Sequence, residues 1–195
     1  MARKLNRKSR TAATTPQSQS LRRLLSGGDR RSIARSNQAR TLVSVQPKRV
    51  QELAELATDS DWLVSMRAFD LLEKIAHDQA ELVQPHKRLF IGAAAESDKW
   101  EVRLQVVRAL PLLKWTLRER ARVVAILREN LDYPQTFVRA WALDSLATFA
   151  ERDARLLPIV RAALGDFERS GSKALAARAR QVRARLASIP PRSSR

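Results

Sequence analysis

Residues 96–113 read ESDKWEVRLQVVRALPLL, and this stretch decides the fold because its pattern of apolar side chains recurs along the chain. The same pattern occurs in residues 59–76, DSDWLVSMRAFDLLEKIA, and in residues 133–150, YPQTFVRAWALDSLATFA. Each segment begins with a polar turn. A valine follows the turn, and further apolar residues lie four, seven or eight, and eleven positions after that valine. That spacing places the apolar residues on one face of an α-helix.

The repeated segments align on Val64, Val102 and Val138, which are 38 and 36 residues apart. A fourth copy in residues 171–187 fits the alignment when Leu175 takes the position of the valine. Self-similarity at a fixed period of roughly 20 to 50 residues is typical of proteins built from stacked repeats. The sequence therefore predicts about four stacked helix pairs.

Helical spacing extends over most of the chain, and the alternation typical of β-strands is missing. Pro111 and Pro158 fall inside predicted helices, where each is expected to produce a kink. The prediction is an all-α chain with nine helices, near residues 30–45, 47–58, 61–77, 83–96, 99–115, 117–131, 135–151, 153–168 and 172–187.

These copies resemble the HEAT-repeat family of α-solenoids, whose inner helices open on an Asp-containing turn followed by Val-Arg. Val102-Arg103 and Val138-Arg139 match that dipeptide, and the resemblance covers about residues 47–187. It implies a right-handed α-solenoid of about four HEAT-like helix pairs, preceded here by an N-terminal capping helix. Extended solenoids usually bind partners on the concave wall formed by the inner helices.

Two departures from the family pattern fall in the first and last units. Val64 is followed by Ser65, and Arg183 occupies a position where a core leucine is expected. Atypical end units are expected in a capped array of repeats. In the family the turn Asp and the Arg bridge neighbouring units, so the resemblance implies structural roles for Arg103 and Arg139.

Positive charge is concentrated at the two ends of a chain whose formal net charge is +17. Residues 1–49 contain 13 Lys or Arg and one acid, whereas residues 50–171 contain 17 basic and 19 acidic side chains. Residues 172–195 contain 7 basic side chains and no acidic one. This pattern favours an anionic partner, with nucleic acid first and acidic protein or anionic lipid after it. A role of the basic ends in solubility alone stays open as an alternative.

The chain is predicted to divide into four segments. These are a disordered basic tail that ends in a glycine hinge (1–28), a capping helix (29–45), the repeat solenoid (46–188) and a disordered basic tail (189–195). Asp29 is expected to cap the second segment. The candidate contacts to an anionic partner in the cap and tail are Arg22, Arg23, Arg30, Arg31, Arg35 and Arg40.

Few residues of the kinds used in catalysis are present. The chain has no cysteine, and its two histidines, His77 and His86, belong to no paired-ligand motif. We therefore predict no enzyme activity, no metal site and no cofactor. No apolar run approaches the roughly 20 residues of a membrane span. A cytoplasmic location is expected, with organelle import as an alternative because the leader has a transit-peptide composition.

The repeat register places two columns of side chains on the concave wall, three and six positions after the anchor residue. Trp141 lies among arginines there, and this mixture can contact phosphate and stack on a base. A solvated helix face with ion pairs, such as Arg67 with Asp70, is the alternative, and Trp141 could equally be buried. The candidate concave-face residues are Arg67, Gln105, Arg108, Trp141, Asp144 and Arg178.

Basic residues on the outer helices permit an anion site on the convex side without requiring one. They are Lys87, Arg88, Arg118, Arg120, Arg122, Arg155 and Arg161.

Three functions remain open from the sequence. The first is a non-enzymatic scaffold that binds an acidic partner, above all DNA or RNA, through the basic tails and the concave face. The second is a protein-protein adaptor that holds a peptide or helix in its groove. The third, by fold analogy alone, is a HEAT-like DNA glycosylase that uses Trp141 and Asp144.

Overall fold

The computed structural model describes residues 20–188, which fold as α-helices and short 3-10 turns without a β-strand in that range. The predicted all-α class is confirmed. The helices are α1 (Leu21–Leu25), α2 (Ser36–Val45), α3 (Val50–Leu56), α4 (Trp62–Asp78), α5 (Ala80–Val83), α6 (Trp100–Ala109), α7 (Leu117–Glu129), α8 (Thr136–Ala150), α9 (Leu157–Arg169) and α10 (Lys173–Ala187). The 3-10 segments are Pro47–Arg49, Gln84–Phe90, Ala93–Glu96, Leu110–Leu112, Asn130–Asp132 and Ala154–Leu156.

Helices α4, α6, α8 and α10 pack side by side and form an inner layer. Helices α3, α5, α7 and α9 each pack against this layer from outside, whereas the outer helices α7 and α9 make few contacts with each other. Because the inner helices are the more closely packed, the inner layer is the concave side. The described chain is thus the predicted right-handed α-solenoid of four helix pairs.

The repeat alignment predicts which side chains form the core. Val64, Val102 and Val138 are buried, and so is Leu175, the residue that replaces valine in the fourth copy. The apolar residues that follow each anchor by four and more positions are also largely buried, and they join one continuous core. Burying each leucine-sized side chain contributes roughly 1.5 to 3 kcal/mol.

The two arginines of the Val-Arg dipeptides brace the junctions between units. Arg103 donates from Nε to the Ser97 carbonyl at 2.6 Å, and its guanidinium lies 4.8 Å from the ring centre of Tyr133 in the next unit. Arg139 donates to the Leu131 carbonyl at 2.8 Å and lies over a ring of α9. Their contacts are structural, but they reach backbone carbonyls and aromatic rings rather than the turn carboxylates that the resemblance implied.

The prolines end or begin helices instead of kinking them. Helix α6 stops at Ala109, and Pro111 lies in the 3-10 turn that follows it. Pro158 is in the first turn of α9, where its missing N–H has no helical acceptor to lose. The predicted kinks are therefore wrong. The helix predicted near residues 83–96 is wrong as well, because 3-10 turns occupy most of that stretch.

The predicted tail of residues 1–28 ends earlier than expected. Helix α1 lies within it, and Leu21, Leu24 and Leu25 are fully or almost fully buried against α2, α3 and α4. The sequence predicts at most a transient turn at Leu21–Leu25, because a single helical turn is not stable alone and forms only when packed. The remainder of that tail, residues 1–19, and the predicted tail of residues 189–195 lie outside the described residues.

The capping helix also begins later than predicted. The Asp29 carboxylate accepts hydrogen bonds from the backbone N–H groups of Arg31 and Ser32, so it closes a turn, and α2 starts only at Ser36. Gly27 and Gly28 have φ of +80° and +71°, a backbone conformation that residues other than glycine rarely adopt. The predicted hinge is a defined turn that leads α1 into the loop before α2.

Candidate binding surfaces

Arg67 was predicted to line the concave wall, and the structure corrects this. Only 2% of the residue is exposed, because the segment after α1 covers this part of α4. Its guanidinium donates to three backbone carbonyl oxygens, those of Leu25, Asp29 and Ser32. Arg67 therefore fixes the N-terminal segment and has no surface left for a ligand.

The other candidate residues of the concave face do lie together on the inner helices. Trp141 on α8 has the Arg108 guanidinium of α6 at 5.0 Å from its ring centre and the Arg178 guanidinium of α10 at 4.6 Å. Because a guanidinium from each neighbouring helix already lies against the indole, a nucleic-acid base could stack on Trp141 only in competition with them. The stacking role proposed for Trp141 is already performed by the protein's own arginines.

The arginines of this inner cluster are also paired with carboxylates. A phosphate group could bind them only by displacing an existing ion pair. Asp144, which the glycosylase hypothesis needs as a free acid, is held by two arginines. The pairs are Arg108 with Glu73 (3.0 Å), Arg178 with Asp144 (3.2 Å), and Arg185 with Asp144 (3.4 Å) and Glu151 (3.0 Å).

Glu73 is a functional candidate that the sequence analysis missed. The residue is 2% exposed, and while Oε1 forms an ion pair with Arg108 at 3.0 Å, Oε2 is buried without a hydrogen-bond partner. Burial raises the pKa of this carboxyl above its usual value, against the opposing charge of Arg108. The carboxyl lines a cavity of about 270 Å³ between α4, α6 and α8, together with His77, Trp141 and Thr148.

Gln105 offers a second unpaired acceptor on the same face. It is 8% exposed, its Nε2 lies 3.4 Å from an Asp70 carboxylate oxygen, and its Oε1 is buried without a partner. It lines a cleft of about 190 Å³ between α6 and the loop that carries Arg30 and Ile33. The inner face thus presents buried hydrogen-bond acceptors rather than free cations.

Free cations lie on the basic cap, by which we mean residues 21–45. Three of its arginines have carboxylate partners: Arg22 with Asp59 at 2.7 Å, Arg30 with Glu101 at 3.9 Å, and Arg40 with Asp78. The other three are exposed and have no carboxylate partner in the described part of the chain; they are Arg23, Arg31 and Arg35. Arg35 donates to the backbone oxygen of Arg23 at 3.2 Å, which holds these two side by side.

Two other kinds of site are absent from residues 20–188. No three His, Cys, Asp or Glu side chains are grouped there in a way that could hold a metal ion. No helix in that range combines the length and apolar character that crossing a membrane requires.

Comparison with known proteins places the fold only. No protein-family model matches the chain, and no curated protein does. Two engineered proteins of known structure share 18% identity with it. One has a TM-score of 0.59 and aligns over 83% of this chain and 77% of its own. The other has a TM-score of 0.61 and aligns over 86% of this chain and 78% of its own.

A designed armadillo repeat protein, solved in complex with the peptide (KR)4, is also similar. It shares 14% identity over 84% of this chain and 79% of its own, with a TM-score of 0.60. Identities this low carry information about architecture and none about a shared activity. The chain is accordingly a repeat α-solenoid, and its closer resemblance to HEAT repeats stays a prediction.

Proposed function

We propose that this chain is a non-enzymatic scaffold that binds nucleic acid through its basic cap and the leader that precedes it. One observation carries the proposal: Arg23, Arg31 and Arg35 are exposed and have no carboxylate partner within residues 20–188, while the arginines of the inner cluster are paired with carboxylates. Neutralising phosphates with free cations releases condensed counterions, which drives binding without base-specific contacts.

The inner cluster is the less favourable place for a phosphate backbone. Moving Arg108 away from Glu73 would leave a buried carboxylate without the cation that it is paired with, which is costly. Each free arginine of the cap can instead approach a phosphate without breaking a pair. The inner face is thereby left for other contacts.

The proposal is tested by fluorescence anisotropy with a labelled 20-bp duplex and a 20-nt single strand over a salt series. We expect the triple variant R23Q/R31Q/R35Q to bind at least tenfold more weakly at about 100 mM salt and to lower the duplex slope of log K against log [salt] by about 2 to 3. The matched control is R122Q/R169Q/R183Q, which removes equal charge from arginines that have acid partners. The proposal fails if the intact protein shows no salt-sensitive binding at about 50 mM salt.

A second candidate function is the capture of a peptide on the inner face. The buried unpaired oxygens Glu73 Oε2 and Gln105 Oε1 favour a ligand that supplies hydrogen-bond donors, as peptide N–H groups and basic side chains do. The designed armadillo protein similar to this chain was solved with the peptide (KR)4. That likeness supports a scaffold for peptides without identifying one.

Calorimetric titration with the peptide (KR)4 tests this candidate. Binding should weaken about tenfold in Glu73→Gln, because the carboxylate acceptor loses its charge. The control is Glu81→Gln, which removes an exposed carboxylate of α5 that does not line the cavity. Equal affinities in the two variants would rule out the cavity beside Glu73 as the peptide site.

A further inference from the structure

A small pocket on the outer surface gathers cations that the proposed function does not use. It has a volume of about 150 Å³ and lies between the α6 to α7 connection and the α8 to α9 connection. Trp115 and Phe149 contribute to its apolar wall, and its polar lining consists of Lys114, Arg120, Arg152 and Asp153.

Arg120 is the unusual member of this outer pocket. Its Nε is buried and has no hydrogen-bond acceptor among the described residues. Asp153 is close enough for the charge of Arg120 to help lower the pKa of its carboxyl, yet the two form no hydrogen bond. A buried donor without an acceptor is unfavourable, and a ligand oxygen would relieve it.

The carboxylate of Asp153, beside Arg120, already has hydrogen-bond donors of its own. The Asp153 carboxylate accepts hydrogen bonds from Nε and from a terminal nitrogen of Arg155, both at 2.8 Å. It also accepts one from the backbone N–H of Arg155, and these bonds fix the turn before α9. These bonds are the main reason that the pKa of Asp153 falls to about 2. The pocket therefore keeps an excess of positive charge at neutral pH.

The walls of the pocket are rigid before any ligand arrives. The backbone of Lys114 exchanges two hydrogen bonds with the Gln84 side chain, each of 2.8 Å. The buried indole of Trp115 donates to the Leu110 carbonyl at 2.8 Å. A site whose walls are held in place loses little conformational entropy when it binds.

We propose that this outer pocket binds a phosphate group of the nucleic-acid backbone, an inference that rests on the proposed function and names a second contact for it. Sites for drug-sized ligands occupy roughly 300 to 1,000 Å³, so a pocket of 150 Å³ admits a phosphate group and excludes a nucleoside. Arg155, which is bound to Asp153 of the lining, adds an exposed cation beside the pocket, which suits a chain of phosphates better than a single phosphorylated side chain.

Anisotropy titration of the full chain with the 20-bp duplex tests the inference. Arg120→Gln should weaken binding about tenfold at about 100 mM salt and lower the salt slope by about 0.9. Arg120→Lys keeps the charge and should retain most of the slope. The matched control Arg169→Gln removes an exposed arginine paired with Asp166 and should change affinity less than about threefold. Circular dichroism shows whether each variant is folded.

A second readout reports the contact itself. In ¹H–¹⁵N spectra, the Nε–Hε signal of Arg120 should shift when duplex is added to the intact protein. If Arg120→Gln fails to fold, this signal alone decides the question, and an unshifted signal at saturating duplex overturns the inference.

The outcomes separate this inference from the proposed function. Duplex binding that is lost in the basic-cap triple variant but unchanged in Arg120→Gln leaves the function standing and overturns the outer pocket. Absence of any duplex binding by the intact protein overturns both. Tight binding of a phosphoserine peptide that depends on Arg120, without duplex binding there, also overturns it, in favour of a phosphorylated protein.

Discussion

Arg67 shows how one residue can reverse its expected role. The repeat register placed its side chain on the concave wall, and the register is correct for α4. What the pattern could not reveal is that residues 25–32 fold back over that wall and supply three carbonyl acceptors. A charged side chain whose three hydrogen bonds are buried or partly buried holds a segment in place more firmly than one exposed to water.

Arg67→Ala should lower the free energy of unfolding by about 3 kcal/mol, because three carbonyl oxygens lose their donors together. Urea denaturation followed by circular dichroism measures the change. Arg23→Ala is the control, since this exposed residue has no carboxylate partner in the described chain, and it should stay within about 0.5 kcal/mol of the parent. Equal effects of the two substitutions would show that Arg67 does not hold the N-terminal segment in place.

Glu73 makes stability depend on pH in an unusual direction. Burial raises the pKa of its carboxyl in the folded protein above the value of about 4.5 that it has when unfolded. The folded protein therefore holds this proton more tightly, and its stability falls as the pH rises past about 4.5 toward the raised pKa.

Glu73→Gln removes this titration. The stability of the variant relative to the parent should increase as the pH rises from about 4.5, where the parent begins to lose the contribution of its bound proton. Urea unfolding of both proteins at several pH values measures the difference. A difference that stays constant over this range would show that Glu73 does not titrate as its burial requires.

Helix α1 is the element on which sequence reasoning failed most clearly. The inner helices were predictable because each repeats an apolar stripe over several turns. A single turn of five residues has too few apolar positions to define a period, and its polar flanks resemble a tail. The 3-10 turns at Pro47, Pro85 and Pro111 were not predicted for a similar reason, because the spacing of apolar residues in a 3-10 helix is close to that in an α-helix.

Truncation tests the position of this boundary. A chain that begins at Ser20 should unfold at the same urea concentration as the full chain. A chain that begins at Gly28 loses the three buried leucines of α1 and should be less stable by at least about 3 kcal/mol. Equal stability of the two truncated chains would return residues 20–28 to the tail.

At the scale of the whole molecule, the fold was more predictable than the binding surface. Repeat spacing depends on sequence alone, so the solenoid and its buried anchors could be predicted. Which cations remain free depends on carboxylates distant in sequence. Arg22 meets Asp59 and Arg108 meets Glu73 across about one repeat length, but that spacing alone does not say which arginines find a carboxylate.

The structure divides the charge of the molecule in a way that composition could not show. Within residues 20–188, the arginines of the inner cluster are paired with carboxylates, whereas Arg23, Arg31 and Arg35 of the N-terminal cap have no carboxylate partner. A polyanion should therefore attach to the end and the outside of the solenoid, leaving the concave face open for a different ligand.

The salt dependence of duplex binding, measured side by side for the intact protein, R23Q/R31Q/R35Q and Arg178→Gln, tests this division most directly. Arg178→Gln leaves Asp144 paired with Arg185, so the inner cluster keeps an ion pair. We predict that the cap variant lowers the slope of log K against log [salt] by about 2 to 3 and that Arg178→Gln leaves it unchanged. A slope lowered by Arg178→Gln and unaffected by the cap variant would place the nucleic acid on the concave face and contradict the account.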